Sequence, residues 1–317
     1  MEIVFTSGGT ESDNLAVKGA VFNNSERTGV VVGATEHEAV LEAAHFLSRL
    51  GNELTEIEVD RSGRIAVEDV IDSVNDTTAV VSVMLINNET GAMSDVSAIS
   101  EAVHEASPGA LVHTDAVQAF GCLDFDVDQL GVDLLSLTGH KFGGPKGAGL
   151  LYVREGTHLE ALSHGGGQEL GRRSGTHDVA GVVGLAKAME MTEAERDRFV
   201  GEVGSLRDAL EDELTSAIPD MVVNTPATDR SPHHLNVSIP GVRNETLLLR
   251  LDRAGVAASA GSACQSGAAT VSHVLEAMGL SAEEARQSIR LSLGWTTTRA
   301  EIDSASDTLI SLVGELR

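Results

Sequence analysis

The sequence predicts an α/β protein: a large domain around a mostly parallel seven-stranded sheet, followed by a smaller α+β domain. Three observations carry this. Seven short β-branched or leucine-rich runs alternate with helical stretches through the first half, the texture changes near residue 193, and 317 residues at 42% hydrophobic content are enough for two cores. The runs cover residues 3–7, 29–36, 54–60, 78–88, 110–118, 133–138 and 148–153. Strands separated by helices pair in parallel and are covered on both faces, and ligands of such sheets sit at the carboxyl ends of the strands. A stretch over 178–216, rich in Glu, Arg and Ala, reads as a connecting helix. Beyond it, strands are expected at 221–224, 234–239, 256–260 and 288–293, with helices at 245–253, 271–278 and 299–316. The domains are therefore drawn as 1–193 and 194–317.

Composition bounds the function. The formal net charge is −26, and only four of the 22 basic residues are lysines (Lys18, Lys141, Lys146 and Lys187). Such a surface repels nucleic acid and anionic membranes and suits a salt-rich, halophilic cytoplasm, where its self-repulsion is screened. No run of about 18 apolar residues suggests a membrane span, and no basic-then-apolar leader is evident, so a cytoplasmic location is expected. Cys122 and Cys264 are too few for a disulfide framework and lack the spacing of a zinc site; both are expected to be reduced thiols, with no metal bound.

Chemistry gathers where strands end. Thr138-Gly139-His140-Lys141-Phe142-Gly143-Gly144 puts a lysine directly after an apolar run, in a glycine loop that lets backbone approach a ligand. Such a lysine can hold an aldehyde as a Schiff base, although solvated lysines in glycine loops are common. His113-Thr114-Asp115-Ala116-Val117-Gln118 ends another run on an acid, with an amide three residues on. A carboxylate at that depth needs a cation, and the protonated ring nitrogen of a pyridoxal cofactor is one; a helix cap or a metal ligand fits Asp115 alone equally well.

Ser7-Gly8-Gly9-Thr10-Glu11 joins a strand to a helix as a phosphate-binding turn would, or as an ordinary capped turn. Glu36-His37 closes the second run with a ring able to stack on a planar cofactor, and Asn87-Asn88-Glu89-Thr90-Gly91 closes the fourth with two amides. Ser262-Ala263-Cys264-Gln265-Ser266 sets a cysteine among small residues with nothing bulky to bury it, so its thiol is accessible, whereas Cys122 reads as a packing residue. Arg290, a charge inside an apolar run, suits bidentate capture of a carboxylate or a buried ion pair.

Taken in this order, these segments, with Arg173 to Thr176, resemble the cysteine desulfurases of the class V aminotransferase group, in the NifS and IscS mould. The resemblance implies fold type I of the pyridoxal-phosphate enzymes, a homodimer, and pyridoxal 5'-phosphate held on Lys141. It implies that Asp115 pairs with the ring nitrogen, that His37 stacks on the ring, and that Gln118 and Asn88 contact the ring hydroxyl or the substrate. Gly9, Thr10, Thr138 and His140 would hold the phosphate, with Thr176 reaching in from the second subunit. Arg290 would grip the carboxylate of L-cysteine, and Cys264 would take its sulfur as a persulfide, leaving alanine. The sulfur would pass to an iron–sulfur scaffold or another acceptor protein.

Members of this kind carry a further segment before the first run, with a motif like Leu-Asp-Asn-Ala-Ala-Thr-Thr. The sequence given starts after it, which implies weaker catalysis than cofactor binding. A selenocysteine lyase or class V aminotransferase on the same cofactor grip is the alternative. A homologue that only binds the cofactor or a partner is the second.

Overall fold

The computed structural model describes residues 2–261 and 271–317. They fall into two compact units: residues 1–59, 65–86 and 94–196 form the first, and residues 60–64, 87–93 and 197–317 form the second. Two short stretches of the first half thus belong with the C-terminal unit.

The first unit is built on seven strands: β1 (Ile3–Thr6), β2 (Gly29–Gly33), β3 (Leu54–Ile57), β4 (Thr78–Ser82), β5 (Leu111–Asp115), β6 (Leu134–Thr138) and β7 (Gly149–Val153). They form one sheet in the order β1-β7-β6-β5-β4-β2-β3. The four pairings from β3 across to β6 are parallel, and β7 runs antiparallel to both β6 and β1. Every residue of β2, β4, β6 and β7 is buried, as expected of a sheet covered on both faces, while edge strands β1 and β3 are only partly covered. The Val-Val-Val of β2 and the Leu-Leu-Ser-Leu of β6 are the kind of continuous run such burial selects.

Helices α1 (Gly9–Phe22) and α2 (Glu38–Arg49) pack on each other; Val17, Ala20 and Val21 of α1 and Val40, Ala44 and Leu47 of α2 share a core with Val30, Val32 and Val80 of the sheet. Helices α3 (Val67–Ser73) and α4 (Val96–Ala106) pack together in the same unit, and α5 (Val127–Leu130) is a single turn before β6. The turn from β1 into α1 touches β7 closely: a Cβ added at Gly149 would lie 2.6 Å from the Gly8 Cα, so glycine is required there.

Helix α6 (Val179–Ala217) runs from the first unit into the residues of the second, as the sequence led us to expect of 178–216. The second unit holds a three-stranded antiparallel sheet in the order β10-β9-β8, from β8 (Val222–Val223), β9 (His234–Ser238) and β10 (Ser288–Ser292). With it go α7 (Asn244–Arg253), α8 (His273–Ala277), α9 (Ala282–Ala285) and α10 (Arg299–Leu316). The strand expected at 256–260 is absent; Ser259 alone bridges to Arg290. A run of small residues has little side-chain surface to pack as a strand. None of the described helices is long and apolar enough to cross a membrane.

Candidate active site

The candidate residues of the first unit lie at the carboxyl ends of neighbouring strands. β5 ends on Asp115 and β6 on Thr138, and the parallel register sets Asp115 beside Ser136. After Thr138 the chain turns through a 3-10 helix, Gly139–Phe142, which carries His140 and Lys141. Its geometry is pinned by backbone bonds from Gly139 N to Ala148 O at 2.9 Å and from Gly144 N to Gly139 O at 2.8 Å. Lys141 is exposed at this turn. Its charge acts on Asp115, so the two lie within electrostatic reach.

Asp115 is 4% exposed, and burial pushes its carboxyl up from the ordinary range. The Val117 N–H, which donates to Oδ1 at 2.8 Å, and the charge of Lys141 oppose that shift. A carboxyl so placed is an acceptor for a cation, as a protonated ring nitrogen would be. His37 is the N-cap of α2: its Nδ1 accepts the Ala39 N–H at 3.1 Å, which leaves the ring proton on Nε2. Gln118 stands half-buried in the turn after β5, where its backbone carbonyl accepts from the Cys122 thiol at 3.0 Å. Cys122 is the packing residue the sequence suggested, its thiol pushed up to about 12 by burial.

Gly8 is the N-cap of α1 and brings no side-chain cap, so the first amides of the helix, at Gly9 and Thr10, are left to an outside acceptor. The Thr138 hydroxyl adjoins this end: a Cβ on Gly8 would lie 3.5 Å from its Oγ1. Thr138 Oγ1 also meets His140 Nδ1 at 3.1 Å, and burial together with the charges of Lys141 and Lys146 holds His140 below its ordinary range. Amide donors, a positive helix end and a hydroxyl converge here, a donor set that fits a phosphate. Thr176 is exposed in the same unit.

Next to this turn, Arg173 Nε donates to Glu11 Oε1 at 2.8 Å and Ser7 N donates to Glu11 Oε2 at 2.6 Å. Burial raises the Glu11 carboxyl, but Arg173 and Ser7 together bring it below the ordinary range.

The second unit gathers another set. Arg290 on β10 donates from its guanidinium to the Asn88 carbonyl at 2.8 Å, and its backbone exchanges two hydrogen bonds with Ser259. Asn88 is buried, and the neighbouring Glu89 accepts from the Ser272 hydroxyl at 2.6 Å. Gly261 faces the same carboxylate, since a Cβ there would lie 2.6 Å from Glu89 Oε2. Arg290, Asn88 and the chain on both sides of the cysteine segment are thus assembled, although Cys264 itself lies outside the described residues.

Five residues that sequence reasoning passed over stand near Asp115. His113 is fully buried between the Ser82 and Ser136 hydroxyls, at 2.8 and 2.9 Å, and Asp13 and Glu36 are buried near Asp115. Ser82, with Ser136, forms the hydroxyl seam itself. The motifs containing Glu36 and His113 were quoted for other members, and Asp13 follows the Ser7-to-Glu11 turn by two residues. Their signal was polarity in positions that a packed sheet buries.

Known proteins are similar throughout. Residues 1–304 match the family described as aminotransferase class-V. The chain is 42% identical to the cysteine desulfurase IscS of Dictyoglomus turgidum, and 41% identical to that of Clostridium botulinum; each comparison covers all of this chain and 80% of the relative. A solved structure described as a NifS-like protein superposes with a TM-score of 0.92 at 35% identity, over 99% of this chain and 83% of that one.

Proposed function

We propose a function from one premise: the chain belongs to the class V aminotransferase family, with the seven-stranded sheet of its fold type I members. It is a pyridoxal-phosphate-dependent cysteine desulfurase, the activity its relatives' name states for them, and it acts on L-cysteine and delivers the sulfur to acceptor proteins. The observation that carries this most directly is the buried Asp115 at the end of β5, on which the charge of Lys141 acts. When bound, pyridoxal phosphate supplies an electron sink for the pair released at the amino acid's Cα.

The positions of the described residues support the roles proposed for them. Lys141, at the turn after β6, holds the cofactor covalently and then moves a proton at Cα. Asp115 faces the ring nitrogen, and His37, fixed in orientation by the Ala39 N–H, lies against the ring. Gln118 and Asn88 contact the ring hydroxyl or the substrate. The amides of Gly9 and Thr10, with Thr138 and His140, receive the phosphate, and Thr176 completes the phosphate site of a second copy. Arg290 binds the substrate carboxylate.

Cys264 takes the sulfur. Its thiolate attacks the sulfur of the substrate, the substrate C–S bond breaks with its pair kept by Cβ, and Cβ takes a proton to give alanine. The transferred sulfur stays on Cys264 as a persulfide, ready for an iron–sulfur scaffold or another acceptor.

The homodimer is supported by apolar side chains left exposed in the first unit, among them Leu162, Leu170, Val179, Val183 and Met191. A cytoplasmic location accords with the free thiol of Cys122, the described cysteine. Borohydride treatment of the loaded protein, followed by peptide mapping, is expected to place the cofactor on Lys141. Cofactor fixed on Lys18, Lys146 or Lys187 instead would overturn the assignment.

A further inference from the structure

The buried polar seam behind Asp115 has no part in the chemistry above. Across β4, β5 and β6 runs a line of side chains: Ser82 Oγ meets His113 Nδ1 at 2.8 Å, and His113 Nε2 meets Ser136 Oγ at 2.9 Å. His113 is 0% exposed, and burial lowers it to about 3, so its ring is neutral. A neutral ring has one donor and one acceptor nitrogen, so one serine accepts from it and the other donates to it.

A carboxyl stands at each end of the line. Asp13, from α1, is 1% exposed, and its Oδ1 lies 3.7 Å from His113 Nε2; the Ser136 hydroxyl favours its charged form. Glu36, from the turn after β2, is also 1% exposed, with the Ser82 hydroxyl and the Met84 N–H acting on it. The titratable neighbours on the packed elements are Asp115 and His113 on β5, His37 before α2, and Lys141 after β6; the cation among them, Lys141, acts on Asp115. Burial raises both Asp13 and Glu36 well above the ordinary range, and the charge of Asp115 raises them further. Among the described residues the one basic group within ion-pair distance of Asp13 is the neutral His113.

Three carboxylates in one buried space repel one another strongly, and neutralisation relieves this more readily than charge does. We propose that Asp13 and Glu36 are positioning residues held as neutral carboxylic acids at the two ends of the Ser82–His113–Ser136 seam, so that Asp115 is the single anion offered to the cofactor's ring nitrogen. The proposal rests on the functional reading for the meaning of Asp115, but the protonation states stand apart from it.

The test separates the two. Infrared spectra of the cofactor-free chain at neutral pH are expected to show protonated-carboxyl bands that shift in heavy water. Asp13→Asn and Glu36→Gln should each remove one of them.

Both amide variants, near-isosteric and uncharged like the acids they replace, are expected to keep the affinity for pyridoxal phosphate within about twofold. Asp115→Asn should weaken it on the order of tenfold or more, one pKa unit of interaction being a factor of ten. Native spectra without protonated-carboxyl bands, or bands unchanged in both variants, would overturn the proposal, as would amide variants losing cofactor affinity as Asp115→Asn does. Should an amide variant fail to fold, the Asp115→Asn spectrum decides: protonated-carboxyl bands kept there support the proposal, and their loss overturns it. Failure of the cofactor to bind at all, with the bands intact, would sink the functional reading and leave the protonation states standing.

Discussion

At the residue scale, the positions proposed to carry chemistry are legible where a single strand end displays them. Lys141, Asp115, His37 and Arg290 each stand out as a polar group closing or interrupting an apolar run. Lys141→Ala is expected to abolish the visible absorbance of the bound cofactor, because Lys18 and Lys187 lie in helices and Lys146 stands five residues farther from the end of β6; a spectrum like the parent's would refute this. Asp13, Glu36 and His113 were not legible as a group, because their partners come from four different elements and only the packed sheet brings them together.

Gly261 was legible as a small residue but not as a constrained one. Its φ of +108° is rarely adopted by other residues, and a Cβ there would press on the Glu89 carboxylate. Gly261→Ala is therefore expected to lower stability by about 1–3 kcal/mol in denaturant unfolding. A midpoint and slope equal to the parent's would contradict the placement of Glu89.

At the element scale, the seven runs of the first half became seven strands because each is buried on both faces or pairs at an edge, and periodicity reports burial. The ends moved inward: the run at 29–36 pairs only to Gly33, and that at 78–88 only to Ser82, the remaining residues serving as irregular site loops. The run at 256–260 failed as a strand, since pattern alone does not register the lack of packing surface.

The start of α1 offers a test of how ionisation supports an element. The Glu11 carboxyl is lower in the folded chain than its ordinary 4.5, so its stabilising effect is present above that pH and is lost as pH falls through the folded value. The pair with Arg173 is partly exposed, which limits the effect to about 0.5 kcal/mol or less. Glu11→Gln should unfold slightly earlier than the parent at neutral pH, with the gap closing in acid. A gap unchanged from neutral to strongly acidic pH would show that the pair's charge is immaterial.

At the scale of the whole molecule, charge dominates. A chain of net charge −26 repels itself over a distance that grows from about 3 Å at 1 M salt to about 10 Å at 0.1 M. The melting temperature is expected to rise with potassium chloride across that range, and a flat response would contradict a halophilic surface. Chain order gave no sign that residues 60–64 and 87–93 join the C-terminal unit, because such exchange depends on tertiary contacts rather than on any local pattern.

The central claim is that the chain moves sulfur from L-cysteine to Cys264. The most direct measurement is the intact mass of the cofactor-loaded protein after brief exposure to L-cysteine, read together with the alanine released. The expected result is a gain of one sulfur atom that maps to Cys264, is absent from Cys264→Ser and is matched by alanine. A mass unchanged while cysteine is consumed, or sulfur found on Cys122 instead, would contradict it.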